Sequence, residues 1–212
     1  LPHSFTFYDP MFSTGIAWSL IAVERLAEIL ESAYVDDRLE SVSLQSGLER
    51  YGRQALSEAE QMAKLLGGAD RAMADFDLFT AQSFLYFALV SYSEVDQRLR
   101  PGGRDGISPA WQGFLGAGDP WLERVFEEAR QRIESIPRDA MGLASAEDRK
   151  AFGRWVAEAI ADRNIAGLGD ANRHNLYPVD LDLLVARADL LGLTADEMQS
   201  KLPLLRGVDT AS

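Results

Sequence analysis

The chain has 212 residues, 47% of them hydrophobic, which is enough to bury the core of one large domain or two small ones. A formal net charge of -12 argues against a nucleic-acid partner or an anionic membrane surface, because both bind fields of lysine and arginine. The absence of cysteine excludes disulfides, thiolate catalysis and cysteine-ligated metals, and it is typical of a reducing, cytoplasmic protein. No apolar stretch is long enough to span a bilayer, so no membrane span is predicted.

The N-terminal region is predicted to form a strand and then a helix. Residues 1–8 are rich in β-favouring side chains, and a strand there needs a partner sheet outside the visible sequence. A helix is predicted from Gly15. Its apolar side chains recur at helical spacing: Ile16, Leu20, Val23, Ala27 and Leu30. Its charged side chains lie off that stripe: Glu24, Arg25, Glu28 and Glu31.

The rest of the chain is predicted to be helical. One helix should run over 45–66 and stop at the glycine pair 67–68, and another should run over 70–98. Glycine and proline favour a loop over 100–118, and residues 163–177 are predicted to be irregular.

Three further helix starts carry capping signals. They are Asp119-Pro120, Ser145 with Asp148, and Thr194 with Glu197. Another helix is predicted over 180–191. Glu58 and Glu60 are predicted to lie on a solvated helix face.

The segment from Asp9 to Ala17 carries the most specific chemical signal. Pro10 restricts the backbone of Asp9, and Ser13 and Thr14 are residue types that cap helices.

A glycine follows these hydroxyl residues. Gly15 would let a ligand touch the backbone, and the amides of Gly15, Ile16 and Ala17 would face it at the positive end of the helix dipole. A phosphate, a halide or the edge of a flavin would suit this arrangement. The alternative is an ordinary capped helix whose glycine is merely tolerated.

The stretch from Leu1 through Asp9-Pro10-Met11-Phe12-Ser13-Thr14-Gly15-Ile16-Ala17 to Ala27 resembles the last FAD-contacting motif of flavin-dependent halogenases and related FAD-dependent monooxygenase-like oxidoreductases. The resemblance implies that Asp9 and Pro10 shape a turn against the cofactor. It implies that residues 13–17, which are Ser13, Thr14, Gly15, Ile16 and Ala17, approach the flavin, and that Thr14 and Gly15 line a halide position.

The same resemblance implies a domain organisation. Residues 1–33 would be the last strand, turn and helix of an α/β, Rossmann-like FAD-binding domain, and residues 34–212 a helical region covering the substrate side. The chain begins at Leu1 rather than methionine, so an N-terminal remainder of the same polypeptide is expected to supply the other FAD contacts. In such enzymes reduced flavin and dioxygen together oxidise a halide or a small-molecule substrate.

Two features depart from the halogenase pattern. Phe12 stands where tryptophan-type halogenases carry an acidic residue, which is closer to the phenol- and pyrrole-type branch or to non-halogenating relatives. The Gly-rich dinucleotide fingerprint is absent from the chain. A prenyl-lipid reductase-like enzyme that transfers hydride, and a non-enzymatic helical interaction module, are the alternative functions.

Aromatic residues on the predicted helix 70–98 are candidates for a substrate wall. Five residues share one side by helical spacing: Phe76, Phe79, Ser83, Tyr86 and Phe87. The predicted substrate-side residues are Phe79, Gln82, Ser83 and Tyr86. Core packing is the alternative. Arg173 and His174 lie in the irregular stretch, and no metal site is predicted, since His3 is the only other histidine.

Overall fold

The computed structural model describes residues 6, 11–35, 38–99, 111, 113–170 and 180–205. The described chain is mostly helical, as predicted. Seven α-helices are present in this part: α1 Thr14–Ala33, α2 Ser41–Ala72, α3 Phe76–Leu99, α4 Pro120–Ser135, α5 Ala146–Ile160, α6 Leu181–Ala186 and α7 Ala195–Leu205. Two-residue strands, β1 Tyr34–Val35 and β2 Arg38–Leu39, form an antiparallel hairpin between α1 and α2. The predicted strand over 1–8 lies outside the described residues except at residue 6, so it and its parent sheet stay predictions.

Most of the core lies among α1 to α5. It contains buried aromatic and aliphatic side chains from all five helices, including Trp18, Met62, Leu85, Phe126 and Phe152. A second cluster joins the end of α3 to α6 and α7 through Tyr92, Leu99, Ile165, Leu184 and Met198. The core of this region is therefore formed mainly by α2 to α5, and α1 packs against it.

The predicted end of α2 at the glycine pair is wrong. The helix continues to Ala72, because Gly68 serves the packing of two helices and does not end one. A Cβ on Gly68 would lie 2.9 Å from Nε2 of Gln82 in α3, so a larger residue would require the Gln82 side chain to shift. The next helix begins accordingly at Phe76, later than predicted.

The three predicted capping signals are confirmed. The Asp119 carboxylate accepts from the Trp121 and Leu122 amides, and the Ser145 hydroxyl accepts from the Asp148 amide at 3.0 Å. The Thr194 and Glu197 side chains each accept from the other residue's amide. The predicted helix 180–191 is divided at Arg187 into α6 and a 3-10 turn.

The predicted loop over 100–118 is irregular where the structure describes it. A 3-10 turn, Phe114–Gly116, contains a left-handed residue at Leu115. This turn reaches the helical core, since the Phe114 amide donates to Glu58 in α2.

Candidate functional site

The start of α1 is preceded by an unusual turn. Met11–Ser13 form a 3-10 turn in which Phe12 and Ser13 both adopt the left-handed conformation, with φ of 61° and 56°. Left-handed backbone is unfavourable for residues with a Cβ by roughly 1 to 2 kcal/mol each. Such strain persists only where surrounding contacts over-determine it, and it is frequent at ligand sites. Asp9 and Pro10 of the predicted site lie outside the described residues.

The prediction that Ser13 and Thr14 cap the helix through their side chains is wrong. Ser13 occupies the N-cap position, but its backbone is left-handed, its side chain is exposed, and no capping hydrogen bond forms. Thr14 is the first helical residue, and its side chain is 1% exposed. The first-turn amides, which an α-helix does not satisfy internally, therefore donate no hydrogen bond to the Ser13 side chain.

The first residues of α1 divide between the protein interior and the surface. Thr14 and Gly15 are buried, whereas Ile16 is 67% exposed and Ala17 is also exposed. The end of the helix thus presents Ser13, Ile16 and Ala17 on one accessible side.

An aromatic contact fixes the turn to α3. The Phe12 ring stacks on Tyr86 with centroids 4.3 Å apart and contacts Phe87 edge-on at 5.3 Å. The hydroxyls of Thr14 and Tyr86 are hydrogen-bonded at 2.9 Å. Burial raises the pKa of the Tyr86 phenol above its usual value, and the hydrogen bond with Thr14 offsets part of that effect. Tyr86 therefore stays protonated at physiological pH.

The four predicted substrate-side residues make different contacts in the structure. Phe79 stacks on Phe12 at 6.2 Å and Tyr86 is buried beside it, so both support the turn. Gln82 faces α2, where its Nε2 donates to the Leu65 carbonyl at 3.5 Å. The Ser83 hydroxyl donates to the carbonyl of Phe79 within its own helix.

A buried ion pair that was not predicted from the sequence holds α1 to α2. Arg25 and Glu58 are fully buried and form a two-pronged ion pair with N–O distances of 2.7 and 2.6 Å. The Glu58 carboxylate also accepts from Trp18 Nε1 at 2.8 Å and from Gln54 Nε2 at 2.9 Å. The prediction of a solvated Glu58 is wrong, since these donors replace water around the charge; Glu60 is exposed as predicted.

The sequence of α1 contains a second pattern that indicates this contact. Trp18, Ala22, Arg25 and Ile29 also recur at helical spacing, and they form the buried face of α1. Two faces of one helix thus carried apolar periodicity, and the less apolar of them is buried in this chain.

The other apolar face of α1 is solvent-exposed. We call it the α1 stripe, and it consists of Ile16, Leu20, Val23, Ala27 and Leu30. Leu20 is 66% exposed and Leu30 is 52% exposed. At 1.5 Å per residue the stripe extends about 21 Å along the helix. Exposed apolar side chains continue into the hairpin, where Tyr34 pairs with Leu39.

Comparison with family models, with curated proteins and with solved structures gives no match for this chain. Within the described ranges, no group of three or more histidine or acidic residues is arranged to hold a metal ion. None of the described helices combines the length and apolar character needed to cross a membrane. The geometry of the site and the motif at 9–17 are therefore the basis for a proposed function.

Proposed function

We propose that the chain is the C-terminal part of an FAD-dependent oxidoreductase of the halogenase or monooxygenase type. The start of α1 would contact the flavin ring. The observation that carries the proposal is the left-handed turn at Phe12 and Ser13, which sits within the motif that resembles an FAD-contacting segment. Contacts with α3 hold this strained turn against a rigid scaffold.

The described residues fit one edge of a flavin. The accessible side at Ser13, Ile16 and Ala17 lies at the positive end of a 20-residue helix, Thr14–Ala33. A helix N-terminus attracts negative charge, and reduction increases the negative charge on the pyrimidine edge of a flavin. FAD would supply the redox chemistry, while the chain would position the ring and stabilise its charged form.

Thr14 and Tyr86 would act as positioning residues. The hydrogen bond between the Thr14 and Tyr86 hydroxyls would hold Thr14 in place beside a halide at Thr14 and Gly15. The stacked rings of Phe12, Phe79 and Tyr86 would keep the turn from moving away from the cofactor. Their role differs from that of an open substrate wall.

The α1 stripe supports a second element of the proposal, an N-terminal remainder of the same polypeptide. A helix with apolar residues at this spacing ordinarily buries them against another element. The described helices cover only the opposite face of α1. A sheet domain that precedes the strand predicted over 1–8 would cover the stripe and bring the rest of the FAD site.

The proposal is tested on the polypeptide as encoded, including any portion that precedes Leu1. We expect Ile16→Glu to abolish or strongly reduce flavin binding, because it places a negative charge where negative charge is to be stabilised. Ile16 is 67% exposed, so the variant should fold. The matched control is Leu56→Glu, which changes a 55% exposed apolar residue on α2.

Flavin content is read from the visible absorption band of the purified protein, before reduction and after reduction and aeration. Gly15→Val should also reduce flavin binding by blocking close backbone approach. Because Gly15 is buried, circular dichroism must show that this variant is folded, and Gly52→Val on α2 controls only for a valine placed within a helix. Normal flavin loading and turnover in both Ile16→Glu and Gly15→Val would refute the assignment. A colourless, folded wild-type protein that ignores added FAD would do so as well.

The interaction-module alternative is favoured by the same exposed stripe. In that case a partner would cover Ile16 to Leu30, and flavin would be irrelevant. A colourless wild-type protein whose stripe becomes protected from hydrogen exchange by a partner would establish this alternative.

A further inference from the structure

A groove of about 420 Å³ lies between α3 and α5, and none of residues 12–17 lines it. Its volume is in the range of small-molecule sites. Apolar side chains from both helices form its walls: Phe76, Ala81, Phe84, Val156, Ala157 and Ile160. Phe76 is 79% exposed at one end, an unusual position for a phenylalanine.

The charged groups of the groove lie together at one end of α5. Arg149 donates to Asp77 at 3.3 Å, and its Nε is 3.7 Å from the buried Asp75 carboxylate. These carboxylates compensate the charge of Arg149. Lys150 also lines the groove, is exposed, and forms no ion pair with any described residue. The groove therefore combines apolar walls with an uncompensated cation.

We propose that this groove binds a small aromatic carboxylate, whose ring lies between the walls and whose carboxylate contacts Lys150. Apolar walls favour the ring through burial of apolar surface. The lysine provides the selectivity for an anion, which the chain's net charge of -12 would otherwise repel. The inference does not depend on the proposed flavin site.

Gly153 supplies a way to close the groove. It lies within α5 and lines the groove, and a Cβ placed there would meet no described atom within 4 Å. A glycine inside a helix weakens it, so Gly153→Leu should raise the stability of α5 while its side chain fills the cavity. Gly52 on α2 also has open space around it and lies outside the groove, so Gly52→Leu is a matched control.

The test is isothermal titration of the purified chain with 1-naphthoate and, as the charge-reversed probe, 1-naphthylmethylammonium. The wild type should bind the carboxylate more tightly than the ammonium. Gly153→Leu should weaken naphthoate binding by roughly tenfold or more, and Gly52→Leu should not change it. Lys150→Met should weaken naphthoate by about threefold, the size expected for an exposed charge, and should not weaken the ammonium ligand.

Three results would overturn the proposal. They are no binding of naphthoate to the wild type, equal binding of the two probes, and unchanged naphthoate affinity in a Gly153→Leu protein that circular dichroism shows to be folded. Ala157→Leu, one turn further along α5, also narrows the groove. If Gly153→Leu does not fold, the naphthoate affinity of Ala157→Leu tests the proposal instead.

Discussion

Helices α1 and α4 carry similar apolar periodicity and use it in opposite ways. In α4 the apolar side is buried through Leu122, Val125, Phe126, Ala129 and Ile133. In α1 the corresponding side is the exposed α1 stripe, and the helix is held by its other face through Trp18 and the Arg25–Glu58 ion pair. Periodicity thus indicates which side of a helix favours burial, but not whether the described chain contains the surface that buries it.

The starts of α1 and α4 also differ, in whether the N-cap side chain bonds the first-turn amides. Asp119 begins α4 in an extended conformation and accepts from two first-turn amides. Ser13 begins α1 in a left-handed conformation and makes no capping bond. The start of α4 is satisfied by its own sequence, while the start of α1 is shaped by contacts with α3.

The largest expected effect on stability comes from the buried Arg25–Glu58 ion pair. This pair, and not the exposed α1 stripe, holds α1 to α2. Glu58→Gln removes the carboxylate charge that pairs with the buried Arg25, so it should lower the free energy of unfolding by about 3 to 5 kcal/mol. Urea denaturation of the purified chain measures this. Glu60→Gln, on the exposed side of the same helix, should change stability by less than about 0.5 kcal/mol. Similar values for the two variants would contradict the buried ion pair.

Truncating one leucine on each helix tests the comparison directly. Leu122→Ala on α4 should cost about 2 to 5 kcal/mol, because Leu122 is fully buried. Leu20→Ala on α1 should cost less than about 0.5 kcal/mol in this chain, since Leu20 is already solvated. In the polypeptide as encoded, the proposed function requires Leu20→Ala to cost more than it does here. A large cost of Leu20→Ala in the chain alone would mean that the stripe is already covered.

The two helix starts are distinguished by removing the cap side chains. Asp119→Ala should destabilise the protein by about 1 to 2 kcal/mol, because it removes a cap and the partner of Arg163. Ser13→Ala should have an effect below about 0.5 kcal/mol, because Ser13 forms no capping bond. Thermal unfolding followed by circular dichroism measures both stability changes. A larger loss of stability for Ser13→Ala than for Asp119→Ala would contradict the assignment of a side-chain cap to α4 and not to α1.

The smallest effect concerns pH and α4 alone. Burial raises the pKa of Asp119, but hydrogen bonds from Arg163, Trp121 and Leu122 outweigh it, and the net pKa is below the ordinary value of 3.8. A lowered pKa in the folded state means stabilisation that is present above pH 3.8 and is lost as the pH falls through the lower folded value. The stability difference between wild type and Asp119→Asn should therefore be constant near neutral pH and shrink on acidification below about 3.8. A difference that grows on acidification would contradict this assignment.

Local signals in the sequence determined much of the helical framework. Asp119, Ser145 and Thr194 start their helices as predicted, because a capping hydrogen bond depends only on residues two or three positions apart. The buried face of α4 followed in the same way from its single apolar stripe.

Tertiary structure decided what local signals could not. Gly68 continues a helix because Gln82 of α3 packs against it, and Glu58 is buried because Arg25 and Trp18 arrive from α1. Phe79 and Gln82 are three residues apart, yet one supports the Phe12 turn and the other contacts α2. Each outcome depends on a partner distant in sequence, and pairwise contact between helices is not encoded in the periodicity of either one. The motif at 9–17 combines both kinds of information. Its residues are recognisable in the sequence, but its left-handed turn depends on contact with Tyr86 of α3.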